Sequence, residues 1–342
     1  MSTPPLKPTE TGMATSSSEG ATDSTGATEA NESSENSDAK AEALGKFELP
    51  DGKELKESAA LKLAAARPIQ LVVLAGPIDS GKTTLITSLY ELFQWRQVDG
   101  YAFAGSNTLP ALEERCYLSR RASGRRTAHT QRTPYIGPDP SYLHLRVRSL
   151  EGLRPFRDLL FTDVSGEMFE HARDSIDECK ELTFLKRADH FLLLLDCAKG
   201  IDPNRRWAMF EDSRALLRSI ADSQMLGPYC SVNVVWSRFD YFPQAETEGE
   251  HADFRADVEK ELRDTFGNEL PGLTFSKVAA RPAKRQELGF GYGVPALLKR
   301  WAETPAGRCA PDLFPAGFSG TRESELFGER YFRSVNANEK SG

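Results

Sequence analysis

The apolar positions of this chain fall into two alternating rhythms. Runs of continuously apolar residues, Gln70–Ala75, His190–Asp196 and Ser231–Ser237, read as strands buried on both faces. Between them lie stretches with helical spacing: Lys82 to about Phe93, about Glu167 to Lys186, Asn204–Asp222 and 250–266. Tyr142–Arg148 and Arg157–Thr162 flank the turn-like "SLEGLRP" and predict an antiparallel pair. A last strand, Thr274–Ala279, precedes a final helix over about Gly293–Ala302. Alternating strand and helix predicts an α/β fold in three layers, with a mostly parallel sheet and one antiparallel strand. Residues 94–140 show no clear period and are rich in Gly, Arg, Ser and Thr.

The ends differ from this core. Residues 1–50 are mostly Ser, Thr, Glu, Ala, Gly and Asn, a composition that buries too little apolar surface to offset chain entropy, which predicts a disordered tail. "DGKELKESAALKLAAA" (51–66) predicts a short helix with Asp51 as its N-cap, packed on or near the first strand. The organisation expected is therefore an acidic tail (1–50), a short helix (51–66), one domain (67–302, with 94–140 as an insert) and a Pro-, Gly- and charge-rich tail (303–342).

Charge sharpens this division. Residues 1–66 hold 12 Asp+Glu and 6 Lys+Arg, so they carry −6 of the chain's net −7. A nearly neutral remainder argues against nucleic acid as a partner, because phosphate backbones call for a basic face. The five cysteines are scattered without metal-ligand spacing, as expected of a reduced, cytoplasmic protein. No apolar run approaches the ~20 residues of a membrane span.

Chemistry enters at "LVVLAGPIDSGKTTLI" (71–86). Gly76, Pro77, Ile78, Asp79, Ser80, Gly81, Lys82 and Thr83 satisfy G-x-x-x-x-G-K-[ST] between an apolar strand and a helix start, with Thr84 next. Such a loop turns backbone N–H groups and a helix dipole toward phosphates. Lys82 is expected on the β- and γ-phosphates, and the Thr83 hydroxyl on Mg²⁺. Asp79 places a carboxylate in a phosphate loop. It either swings outward to a backbone or arginine partner, or it holds a monovalent cation such as K⁺.

In "LLFTDVSGE" (159–167) a strand ends in Asp163, with Gly166 three residues on. Asp163 is expected in the Mg²⁺ shell through water, and the Gly166 N–H at a γ-phosphate. "SVNVVWS" runs into Ser237, Arg238, Phe239 and Asp240, a degenerate form of the Asn/Thr-Lys-x-Asp guanine reader. A carboxylate there accepts from guanine N1–H and N2–H₂ together, whereas adenine offers a lone pair. Arg238 replaces the usual Lys along the base, and Ser237 replaces Asn or Thr. Ala279, Ala280 and Arg281 match a Ser-Ala-Lys loop whose backbone N–H meets guanine O6.

These motifs, in this order, resemble the translation-factor-like (TRAFAC) class of GTPases over about residues 68–302. The insert "FQWRQVDGYAFAGSNTLPALEERCYLSRRASGRRTAHTQRTP", followed by "YLHLRV", resembles the bacterial double-GTPase family, second type. That resemblance implies a GTP- and GDP-binding protein of bacterial multi-gene systems of the conflict or defence kind, working beside a second GTPase. It places switch I in the insert. Thr133 is the first choice for the switch I ligand of Mg²⁺ and γ-phosphate, with Thr130 and Thr127 as alternatives. Arg120, Arg121, Arg125, Arg126 and Arg132 are candidates for an internal arginine finger or form a solvated face. Glu167 stands where many small GTPases orient water with Gln, and Ile78 where they carry Gly. Both departures point to slow hydrolysis. The competing readings are a P-loop ATPase or kinase and a non-hydrolysing GTP-binding scaffold.

Overall fold

The computed structural model describes residues 51–119, 140–151, 156–242, 249–270, 272–283 and 288–303. A seven-stranded sheet runs in the order β2-β3-β4-β1-β5-β6-β7. Its strands are β1 (Ile69–Ala75), β2 (Tyr101–Gly105), β3 (Ser141–Ser149), β4 (Phe156–Asp163), β5 (His190–Asp196), β6 (Ser231–Ser237) and β7 (Thr274–Lys277). β3 pairs antiparallel with both β2 and β4, and every other pairing is parallel. The expected single antiparallel strand is therefore β3.

The helices are α1 (Glu57–Ala66), α2 (Lys82–Trp95), α3 (Leu109–Ser119), α4 (Gly166–Asp174), α5 (Ile176–Glu181), α6 (Cys197–Gly200), α7 (Arg206–Ser223), α8 (Glu250–Phe266) and α9 (Val294–Ala302). The two-residue period of the strands sorts them into layers. Leu71, Val73 and Ala75 of β1 share one core with α1, α4, α7 and α8, together with Phe191, Leu193 and Leu195 of β5. Val72 and Leu74, with Leu192 and Leu194, face the other core under α2, α3 and α9. There Trp301 meets Phe161 edge-on at 5.3 Å between ring centres.

Three sequence expectations change. First, residues 94–119 are ordered into β2 and α3. The signal was weak because β2 is an edge strand with no fully buried position. Among the described side chains of α3, Ala111, Leu112 and Cys116 reach the core. Second, Asp51 does not cap a helix. Its carboxylate accepts the Lys53 N–H at 3.1 Å, and α1 starts at Glu57 after Lys56 without a side-chain cap. Third, 167–186 is not one helix. Ser175 takes an extended conformation and caps α5 through the Glu178 N–H, and a 3₁₀ turn follows over Thr183–Arg187.

The start of α3 is fixed to β3 through His144, which is 1% exposed. Asn107 N–H donates to His144 Nδ1 at 2.9 Å, which leaves Nε2 to donate to Asp158 at 3.0 Å. The Thr108 hydroxyl accepts the His144 N–H at 2.9 Å. This clamp sets where the rest of α3 points, and that includes Arg115.

Candidate functional site

The parallel strands end together at one edge of the sheet. Ala75 pairs in register with Leu193, Asp196 with Ser237 and Trp236 with Lys277. The segments after β1, β4, β5, β6 and β7 therefore meet at the carboxyl edge, where open α/β sheets bind ligands.

The loop after β1 is built from unusual backbone. Gly76, Asp79 and Gly81 all have positive φ (147°, 62° and 95°). A Cβ on Gly76 would stand 2.8 Å from Ser80 Oγ and 3.2 Å from the Leu194 carbonyl oxygen. Ser80 is fully buried, and its hydroxyl has no hydrogen-bond partner among the described residues. Asp79 is exposed. Lys82 arches back across the loop and donates to the carbonyls of Gly76 at 2.8 Å and Pro77 at 3.0 Å. Burial pulls its pKa down to about 8, against the opposing charges of Asp163, Glu170 and Asp79. Thr83 and Thr84 follow in the first turn of α2, both half-buried.

Gly166 opens α4 directly against this loop. A Cβ there would lie 2.5 Å from the Ile78 nitrogen and 2.7 Å from the Pro77 carbonyl carbon. Both are backbone atoms, so only glycine allows this approach. Ser165 caps α4, its hydroxyl accepting the Glu167 N–H at 3.3 Å. Ser165 Oγ also reaches Glu167 Oε2 at 3.4 Å. Asp163, buried at the end of β4, accepts from the Arg115 guanidinium at 2.5 Å. The same nitrogen reaches Glu54. Burial works against the Arg115 charge, but the two carboxylates outweigh it and raise its pKa.

At the end of β6, Ser237 donates to the Leu195 carbonyl at 3.1 Å. Arg238 is left-handed at φ 51° and forks onto both oxygens of the fully buried Asp196. Its guanidinium lies 5.7 Å from the Tyr241 ring centre. Asp240 is buried, and its Oδ2 accepts the Ala283 N–H at 2.9 Å, which ties it to the loop after β7. On that loop the Ala279 N–H is committed to the Tyr292 carbonyl at 3.0 Å, and the Ala280 carbonyl accepts from Gly291 at 3.1 Å. The Arg281 side chain turns away to the buried Glu91 of α2.

The structure thus brings together Gly76, Asp79, Ser80, Gly81, Lys82, Thr83, Thr84, Asp163, Gly166 and Glu167 in one group. Ser237, Arg238, Asp240, Ala279, Ala280 and Arg281 form a second group. Thr133, Thr130, Thr127 and the candidate fingers Arg120, Arg121, Arg125, Arg126 and Arg132 lie outside the described residues. Sequence reasoning missed Arg115, Asp196, Glu91 and Glu54. Each acts through a partner far away in sequence, so no local spacing signals it. Among the described residues no group of three or more His, Cys, Asp or Glu could hold a metal ion, and no helix is long and apolar enough to cross a membrane.

A Gly-x-x-x-x-Gly-Lys-Thr loop between β1 and α2, on a three-layer, mostly parallel sheet, marks a P-loop nucleotide-binding fold, and the family match makes it that of the P-loop GTPases. The model of the family described as Double-GTPase 2 matches residues 70–302, and the chain belongs to that family. Among solved structures, a bacterial selenocysteine-specific elongation factor is similar at 16% identity and a TM-score of 0.32, over 68% of this chain and 28% of its own. The Ski7 GTPase-like domain of S. cerevisiae, bound to GDP and inorganic phosphate, is similar at 13% identity and a TM-score of 0.40, over 71% of this chain and 51% of its own. A signal recognition particle receptor SRb-GTP/SRX complex from Chaetomium thermophilum is similar at 15% identity and a TM-score of 0.35, over 69% and 97% of the two chains. The chain spans 28%, 36% and 51% of the first three matched chains. No curated protein matches it.

Proposed function

We propose that this protein binds GTP and GDP with Mg²⁺ and hydrolyses GTP slowly, as a conformational switch. The observation that carries the reading is the pairing of a phosphate loop on β1 with a buried, anchored Asp240 two strands away, on one carboxyl edge. The domain we assign to this work is 67–302, with 94–140 as the switch I insert.

The phosphate group of residues fits a polyphosphate. Positive φ at Asp79 and Gly81 on either side of Ser80, which is not left-handed, is the kind of alternation that forms anion-binding concavities. The unpartnered Ser80 hydroxyl lines it, and Lys82 is held over it. The fit extends to the metal, since the Thr83 hydroxyl and Asp163 carboxylate are the hard oxygen donors that Mg²⁺ prefers. When bound, Mg²⁺ would neutralise charge on the phosphates. In this reading Lys82 takes up β- and γ-phosphate oxygens, and the Gly166 N–H senses the γ-phosphate. Glu167 orients the attacking water, and Thr133 closes switch I.

On the base side, Asp240 presents its two oxygens to guanine N1–H and N2–H₂ side by side, and the oxygen that holds the Ala283 N–H uses its second lone pair for N1–H. Ala279 is committed elsewhere, so Ala280 is the N–H for guanine O6. Arg238 and Arg281 serve this half by bracing its loops through Asp196 and Glu91. For Asp79 the exposed position favours a solvent-facing role. A hydrolysis rate unchanged between K⁺ and Na⁺ would remove a bound K⁺ from the account.

Family membership supports work beside a second GTPase in a bacterial multi-protein system. A non-hydrolysing scaffold is the second reading, favoured by Glu167 in the water-orienting place. The test is titration calorimetry with GDP, a non-hydrolysable GTP analogue and its ATP counterpart, each with Mg²⁺. A guanine preference of about a hundredfold or more is expected, since sites that hydrogen-bond a base edge reject mismatches by up to ~10⁴. Equal adenine binding would overturn the reading. Slow phosphate release separates the switch from the scaffold.

A further inference from the structure

Arg115 belongs to no motif, yet it sits on the carboxylate expected to serve the metal. Its stem is held by its own helix, with Nη1 donating to the Ala111 carbonyl at 3.1 Å. Its other terminal nitrogen meets Asp163 Oδ2 at 2.5 Å and also reaches Glu54. The Asp163 side chain is 3% exposed, that of Arg115 16%, and that of Glu54 38%. One cation therefore bridges a buried carboxylate and a half-exposed one.

Glu54 is part of a strap, Gly52–Leu55, that is fastened to the insert and the sheet. The Ala111 N–H donates to the Gly52 carbonyl at 3.1 Å, and Leu55 exchanges two hydrogen bonds of 2.9 Å with Tyr142 of β3. Gly52 has φ 72°, and a Cβ there would stand 2.4 Å from Pro110. Only glycine lets the strap lie this close to α3.

Building on the GTP–Mg²⁺ reading, we propose that Arg115 is a positioning residue that stands in for the metal at Asp163 and couples metal binding to the Gly52–Leu55 strap. The reasoning is electrostatic. Asp163 is buried and faces the Lys82 charge, and Arg115 is the cation that bonds it directly, the place a metal would take. Mg²⁺ and the guanidinium repel one another when both face one carboxylate. As the metal arrives, Arg115 shifts its weight to Glu54, the acceptor that remains. Arg115 thus competes with the metal, and Glu54 relieves that competition.

The two partners therefore have opposite effects. Arg115→Met removes the competitor and lowers the Mg²⁺ concentration for half-maximal retention of a fluorescent GDP analogue, by about fivefold. Glu54→Gln removes the alternative acceptor and raises that concentration by a similar factor. Amide exchange at residues 51–56 of the unaltered chain changes when Mg²⁺ is added to the GDP complex. A merely structural role would raise the Mg²⁺ requirement in both variants, and that result, or no change in either, overturns the proposal. Should Arg115→Met fail to fold, Glu54→Gln decides alone: a raised requirement supports the proposal and an unchanged or lowered one overturns it. Absence of guanine-nucleotide binding by the unaltered chain at any Mg²⁺ concentration would instead contradict the proposed function itself.

Discussion

The phosphate side and the base side of this sheet edge are held by different means. On the phosphate side the chain braces itself locally. Lys82 is held by Gly76 and Pro77 within its own loop, and Gly166 meets that loop backbone to backbone. On the base side the braces are long-range ion pairs. Arg238 forks onto Asp196 from 42 residues away, and Arg281 reaches Glu91 across 190. Where the proposed guanine reader departs from the usual lysines, an arginine has a buried carboxylate to match. The planar fork of Arg suits such a pair where the point charge of Lys does not. The departures from the expected motif thus come with their own partners.

Changes on the phosphate side should strike binding, and changes on the base side should strike stability and base choice. The largest expected effect is Lys82→Ala, which should cost about 2–5 kcal/mol of GDP affinity, the range for losing one member of a buried charge pair. Calorimetry checks this. The same change should not weaken the nucleotide-free fold. The lysine pKa falls from 10.5 to about 8 because burial disfavours its charge, so at pH 7 the charged group is a burden to the empty site. A melting temperature that drops sharply with Lys82→Ala would break this side of the comparison.

A control for both halves lies at the other end of β5. Burial lowers the pKa of His190 from 6.5 to about 4. Its folded pKa lies below its unfolded one, so its contribution is intact above pH 6.5 and is lost as pH falls toward 4. The loss is about 3 kcal/mol, at ~1.4 kcal/mol per pKa unit. His190→Phe should remove this part of the pH dependence. Denaturant unfolding at pH 7 and pH 4.5 measures it, and neither phosphate nor base affinity at pH 7 should change.

Asp196→Asn comes next, at about 2 kcal/mol of stability, below the usual ~3–5 for breaking a buried pair because Arg238 is 36% exposed. It should loosen guanine preference while leaving phosphate contacts intact, which a GDP and pyrophosphate comparison reads directly. The smallest effect is Arg281→Lys, about 1 kcal/mol in thermal unfolding, since charge is kept and only the fork to Glu91 is lost. A larger loss of GDP affinity there than at Lys82 would reverse the comparison.

The same contrast explains what could be read in advance. The phosphate loop was legible because strand, glycines, Lys82 and helix follow one another within a short stretch. The buried strands were legible from unbroken apolar runs such as "HFLLLLD". β2 and α3 escaped because an edge strand and a helix with few core positions leave little period. Arg115 escaped for another reason. In "LEERCYLS" it looks like any solvated arginine, and only the fold brings Asp163, 48 residues on, and Glu54, 61 residues back, to it. The place of Asp240 at the end of β6 was legible, but its anchor on Ala283 was not, nor was the commitment of Ala279 to Tyr292.

The most direct test of the guanine reading is the affinity of the Asp240→Asn variant for GDP and for its xanthine counterpart. Asn can keep its carbonyl on both the Ala283 N–H and the base N1–H, and turn its amide N–H₂ to the 2-position of the base. That donor opposes the guanine 2-amino group but matches the 2-carbonyl of xanthine. The account predicts that the unaltered protein prefers GDP and that the variant prefers the xanthine nucleotide, each by at least about tenfold, or ~1.4 kcal/mol. An unchanged preference for GDP in the variant would show that Asp240 does not read the base, and would contradict the account.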